Sequence, residues 1–155
     1  MLFGPSNLRA RVGALCVCCF ALSTVAFASL GDDVRTVQAD QAHMKAALRT
    51  TQGVGFVMHE LQSQSGVRVR EYVSPAGQVF AVTWQGPFMP DLRQVLGSYF
   101  DQFSQAAQSR RARGGPLIIH EPGLVVESGG HMRAFFGRAY VPQMMPANVT
   151  AGSIR

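Results

Sequence analysis

The sequence predicts an α+β domain, two helices packed on an antiparallel sheet in the order α-βββ-α-βββ. Three observations carry this. Two stretches repeat apolar residues at helical spacing, and short runs rich in β-branched and aromatic residues follow each of them. Between those runs stand clusters of Gly, Pro and Ser, the residues that turns require.

Residues 1–28 read as a secretory signal that is cleaved. Arg9 and Arg11 supply a basic start, Val12 to Ala28 runs without a charge, and Ala26-Phe27-Ala28 gives an A-x-A site with cleavage between Ala28 and Ser29. Cys16, Cys18 and Cys19 all fall in this segment, so the expected mature chain has no disulfide, thiolate nucleophile or Cys-ligated metal. No later run is long and apolar enough to span a bilayer. Two of the 14 basic residues leave with the signal, and the mild surplus over nine acidic ones gives no argument for nucleic acid. The expected organisation is a single domain over 29–141 and an irregular tail over 142–155.

Asp32 or Asp33 can cap a first helix reaching about Arg49, with Val34, Val37, Gln41, Met44 and Leu48 on one face. Gly53 and Gly55 end that pattern. Strands are predicted at Phe56 to Leu61, Val67 to Val73 and Val79 to Trp84. Pro75 suits the second position of a type I turn and Gly77 the left-handed residue of a three-residue loop. Counting outward from Ser74 facing Gln78 then pairs Tyr72 with Phe80, Arg70 with Val82 and Arg68 with Trp84, with Glu60 near Arg68. Phe56, Met58, Arg68, Arg70, Tyr72, Phe80, Val82 and Trp84 would share one face. Val57, His59, Leu61, Val67, Val69, Glu71, Val73, Val79, Ala81 and Thr83 would share the other. Neither face is cleanly polar, so both should be covered, one by helices and the other by loops, the tail or a partner.

Pro87 and Pro90 turn the chain into a second helix, about Asp91 to Ala112, with Leu92, Val95, Leu96, Tyr99, Phe100 and Phe103 as its stripe. Arg110, Arg111 and Arg113 before Gly-Gly-Pro suit a helix C-terminus, and an anion site is the competing reading. Three further strands are expected at Leu117 to His120, Leu124 to Glu127 and Met132 to Tyr140, with a turn at Ser128-Gly129-Gly130. The element order, with Gly77-x-Val79-x-Ala81 and Gly130-x-Met132-x-Ala134 in matching places, suggests an internal duplication.

No catalytic or metal constellation emerges. His59-Glu60 and His120-Glu121 repeat one dipeptide, but neither continues as H-E-x-x-H, and His43 and His131 add no ligand spacing. There is no G-x-S-x-G, and Lys45, the sole lysine, is not in a phosphate loop. No metal or cofactor is expected. Two candidate sites remain. His59 and Glu71 fall within a residue of facing each other on adjacent strands, where each would shift the other's pKa. Arg68, Arg70, Tyr72 and Trp84 form an Arg and aromatic cluster able to hold a partner, against the alternative that this face is core with its arginine heads turned outward.

The strings Arg70-Glu71-Tyr72-Val73-Ser74-Pro75-Ala76-Gly77, Trp84-Gln85-Gly86-Pro87, Met89-Pro90-Asp91-Leu92 and Ser128-Gly129-Gly130-His131-Met132-Arg133 resemble an uncharacterised proteobacterial family of short exported proteins. The resemblance covers nearly all of the mature chain. It implies export and a single domain, and carries no activity, substrate or catalytic residue. The leading expectation is a non-enzymatic binding module of the cell envelope, periplasmic by its signal, with an unknown envelope protein or ligand as partner. A small hydrolase-type enzyme using His59 and Glu71 is the second reading, and an inhibitor or chaperone-like accessory protein the third.

Overall fold

The computed structural model describes residues 29–110 and 115–155. The N-terminal segment read as a signal, with its three cysteines, and Arg111 and Arg113, lie outside the described residues. Seven strands form one antiparallel sheet: β1 (Ala47–Gly53), β2 (Phe56–Gln62), β3 (Arg68–Val73), β4 (Val79–Gly86), β5 (Leu117–Glu121), β6 (Leu124–His131) and β7 (Ala134–Tyr140). Their spatial order is β1-β2-β3-β4-β7-β6-β5, so two meanders meet through their last strands. The helices are α1 (Val37–Met44), α2 (Leu92–Leu96) and α3 (Phe100–Arg110). The α+β class holds, with one strand more than the sequence predicts and the order α-ββββ-αα-βββ.

The extra strand comes from the C-terminal end of the expected first helix. Lys45 takes a left-handed φ of 47°, which stops α1 at Met44, and Ala47–Gly53 then pairs with β2 along its whole length. Exposure explains why the pattern hid it: Leu48 is the one residue of this edge strand that is not exposed, so no apolar alternation marks it. The expected second helix is interrupted. Asp91 caps α2 by accepting from the Arg93 N–H at 2.9 Å. Gly97 then adopts φ 50°, and a Cβ there would fall 2.0 Å from Ser29 Oγ, so only glycine allows this approach. The chain restarts as α3 after a single 3-10 turn.

The Pro75 turn forms as predicted. Ser74 and Gln78 share a hydrogen bond, the Gly77 N–H reaches the Ser74 carbonyl at 2.9 Å, and Gly77 has φ 81°. The pairing beyond it differs. Val73 faces Val79, yet Tyr72 faces Ala81, which makes Phe80 the extra residue of a β-bulge. Everything upstream moves by one: Arg70 faces Thr83, Arg68 faces Gln85, and Trp84 faces Val69. A one-residue slip exchanges faces, so Val82 and Trp84 join the helix side while Ala81 and Thr83 take the other. Glu60 faces Arg70 in register and still lies 3.7 Å from Arg68. The expected Ser128-Gly129-Gly130 turn is strand, and the reversal falls at Met132-Arg133 instead. There a Cβ on Gly130 would lie 2.1 Å from the Ala134 carbonyl oxygen.

Leu30, Val95, Leu96, Phe103 and Ala107 cover one sheet face, packing on Val69, Val82, Trp84, Ile119, Val126 and Ala139. Trp84 is 2% exposed and therefore core. Its ring lies over Gly137, where a Cβ would fall 2.2 Å from Cζ2. The opposite face is covered over one half by residues 142–155. Val149 and Ile154 bury themselves against Tyr72, Phe80 and Ala81, with Phe56, Met58, Tyr140 and Met145 around them. This stretch carries two single 3-10 turns and belongs to the fold.

One row of residues runs across the whole sheet beside that cover: Arg49, Glu60, Arg70, Thr83, Arg138, Glu127 and Ile118 face one another strand by strand. Arg70 Nε donates to Glu60 at 2.7 Å and Arg138 Nη2 reaches Glu127 at 2.9 Å. Both guanidiniums also grip the C-terminal segment. Arg70 Nη1 donates to the Arg155 carbonyl at 2.8 Å, and Arg138 Nη1 to that of Ala151 at 2.7 Å. The Tyr72 hydroxyl accepts from the Arg155 N–H at 3.0 Å and donates to its carbonyl. These contacts predict that Ile154→Ala lowers stability by about 2–5 kcal/mol. Ile118→Ala, at a half-exposed position on the same face, should stay within about 0.5 kcal/mol. Urea titration of the two variants compares them directly, and equal losses would remove the segment from the core.

Candidate functional site

The two sequence-predicted clusters come apart in different ways. Arg68, Arg70 and Tyr72 share the face opposite the helices, while Trp84 belongs to the helix-side core. The bulge at Phe80 is the cause. His59 and Glu71 do face each other across β2 and β3. Their hydrogen bonds nevertheless run elsewhere.

His59 sits on the helix side near the β1 edge, and its Nδ1 lies 3.0 Å from Thr50 Oγ1. Partial burial lowers its pKa, because water no longer solvates the imidazolium fully. Glu71 is 1% exposed beneath α1. Its partner there is Asp40 of α1, itself 2% exposed, which accepts from Gln94 Nε2 of α2 at 2.6 Å. Burial raises the Glu71 pKa most, followed by the negative charge of Asp40 and their shared hydrogen bond. Two carboxyl groups in hydrogen-bond contact need a proton between them, and the raised Glu71 pKa accords with that, while Glu71 Oε2 has no hydrogen-bond partner. Two acidic side chains and one amide therefore pin both helices to the centre of the sheet. The sequence signal for this was available: Asp40 falls on the apolar side of α1, one turn after Val37.

The open part of the other face is a groove of about 450 Å³. Arg68, Gln85, Phe136 and Arg138 line it from β3, β4 and β7, Ile118 from β5, and Arg155 from the C-terminal segment. Gly129 contributes bare backbone. The Phe136 ring lies beside it, with Cζ 3.1 Å from where a Gly129 Cβ would stand. Phe136 is 57% exposed and Ile118 48%, unusual for large apolar side chains on a sheet otherwise covered. Arg68 and Arg70 were legible in the sequence. Phe136 and Arg138 were not, although Arg138-Ala139-Tyr140 repeats the Arg-x-Tyr spacing of Arg70-Glu71-Tyr72 on a strand the sequence had already located. Among the described residues no group of His, Cys, Asp and Glu has the arrangement to hold a metal, and no helix is long and apolar enough to cross a membrane.

The acid pair gives a pH-dependent prediction. A raised folded-state pKa means that the stabilisation is complete below the ordinary glutamate value of 4.5 and is lost as pH rises from there toward the folded value. Glu71→Gln keeps a donor to Asp40 and cannot ionise. Its denaturation midpoint should therefore match wild type near pH 4 and exceed it increasingly toward neutrality. A gap that does not change with pH would refute the shared proton.

No curated protein and no solved structure matches the chain. The family model described as a protein of unknown function (DUF2844) matches residues 26–154, which is the whole of the fold described above up to Ile154, and the chain belongs to that family.

Proposed function

We propose that this is an exported protein of the bacterial cell envelope that works by binding, and that the groove on the open sheet face is its contact surface. The basic start, uncharged run and Ala26-Phe27-Ala28 site of the N-terminal segment support export. The groove carries the binding reading: it joins guanidinium groups to exposed apolar side chains at one place, Arg68 and Arg155 beside Phe136 and Ile118. Trp84 borders the groove but is 2% exposed, so its main role is in the core.

The hydrolase-type reading has less support. His59 and Glu71 bond to different partners, and Glu71 lies too deep for a substrate to reach. A protein partner, as for an accessory protein, is the second reading. Phe88, Met89 and Met132 are all exposed on connections at the end of the sheet where Gly86, Phe135 and Gly130 align.

Two measurements test the proposal. N-terminal sequencing of protein recovered from a periplasmic fraction should begin at Ser29; an intact Met1 on the fractionated protein would end the export reading. Mature protein used as bait in an envelope extract should retain species that a folded Phe136→Asp variant loses. Identical sets would remove the groove as the contact surface.

A further inference from the structure

We propose that the groove takes a small organic anion, a single carboxylate-type charge joined to an apolar body about the size of one ring. This rests on the reading of the open face as the contact surface and specifies its ligand.

Charge complementarity is the first argument. Four arginines line the groove, Arg68, Arg70, Arg138 and Arg155, against one side-chain carboxylate, Glu127. Arg138 is paired with Glu127 and Arg70 with Glu60, and both also hold main-chain carbonyls of the C-terminal segment. Arg68 and Arg155 are left over. Arg68 Nε donates to the neutral Gln62 Oε1 at 3.1 Å and lies 3.7 Å from Glu60, which is already committed to Arg70. Arg155 Nε donates to the Gly152 carbonyl at 3.1 Å. Among the described residues neither uses its terminal nitrogens in a protein hydrogen bond, and the Arg68 side chain is 42% exposed. Two terminal nitrogens in one plane match the two oxygens of a carboxylate.

Apolar complementarity and size are the second. Beside Arg68 the wall is the exposed Phe136 ring, and Ile118, Pro116 and Ile154 continue it. The Phe136 ring lies over Gly129, which has no side chain to displace it, so the exposed side of that ring is the flat surface on which a ligand ring can stack. The 450 Å³ of space falls within the range usual for small-molecule sites, about 300–1,000 Å³. A fully polar anion such as phosphate would leave these apolar walls without contact. A neutral ring would leave Arg68 unneutralised.

Phenylacetate is the probe, with phenylacetamide as its uncharged isostere, octanoate as an alkyl acid and inorganic phosphate as a bare anion. Backbone amide shifts of the mature protein are followed during titration. Phenylacetate should saturate at concentrations up to about 10 mM, with the largest shifts at Gly129, Phe136 and Gly137. Phenylacetamide, octanoate and phosphate should each bind at least about tenfold more weakly. Arg68→Gln and Phe136→Ala, each giving a folded amide spectrum, should weaken phenylacetate by about tenfold. Equal binding of phenylacetamide or phosphate, tighter binding of octanoate, or shifts elsewhere on the molecule would overturn the ligand class. If phenylacetate fails while the Phe136→Asp bait still loses species from the envelope extract, the ligand is wrong and the surface stands. If both fail, the surface falls as well.

Discussion

The fold depends on how Arg70 and Arg138 are used twice. Each guanidinium satisfies a carboxylate across a strand pair, Glu60 or Glu127, and spends remaining donors on carbonyls of residues 151–155. These ion pairs are only partly buried, and surface pairs contribute little when isolated. Here they position a segment whose burial matters more, because Ile154 and Val149 keep water from Tyr72 and Phe80. The same grip stops at the row it occupies. Beyond it the face stays open, with Phe136 exposed over Gly129, so the clamp sets the edge of the groove.

The helix side is organised by a different polar contact. Apolar packing of Leu96, Phe103 and Trp84 supplies the bulk of the burial there. Asp40, Glu71 and Gln94 then fix which part of α1 lies over β3, since a buried acid pair tolerates only the geometry that shares its proton. This accounts for a helix of eight residues holding its place while burying only Val37 and Asp40. It also takes Glu71 away from His59: the carboxyl that the sequence offers for catalysis is held in docking a helix.

Misreadings of the sequence trace to features with no local mark. The strand at Ala47–Gly53 is an exposed edge, and an edge facing water shows no alternation to detect. The bulge at Phe80 follows a turn whose chemistry was read correctly, and nothing in Val79-Phe80-Ala81 announces an extra residue in the ladder. Its effect was large, because one residue of register decides which side of a sheet every later residue faces. The Gly129-Gly130 pair read as a turn because glycine serves both turns and close approach, and only the Ala134 carbonyl distinguishes the two uses.

The sequence by itself determined the α+β class, the second helix start at Asp91, the Pro75-Gly77 turn and the need to cover both faces of the sheet, since these follow from local periodicity and backbone chemistry. It also placed Arg68, Arg70 and Tyr72 on one face, because alternation along a single strand is a local property. Tertiary structure decided what those residues meet. Asp40 reaching Glu71, Arg138 reaching the carbonyls of 151 and 154, and Trp84 settling over Gly137 join positions far apart in the chain. Such contacts depend on register and on where a segment comes to rest, and neither is encoded in any short stretch of residues.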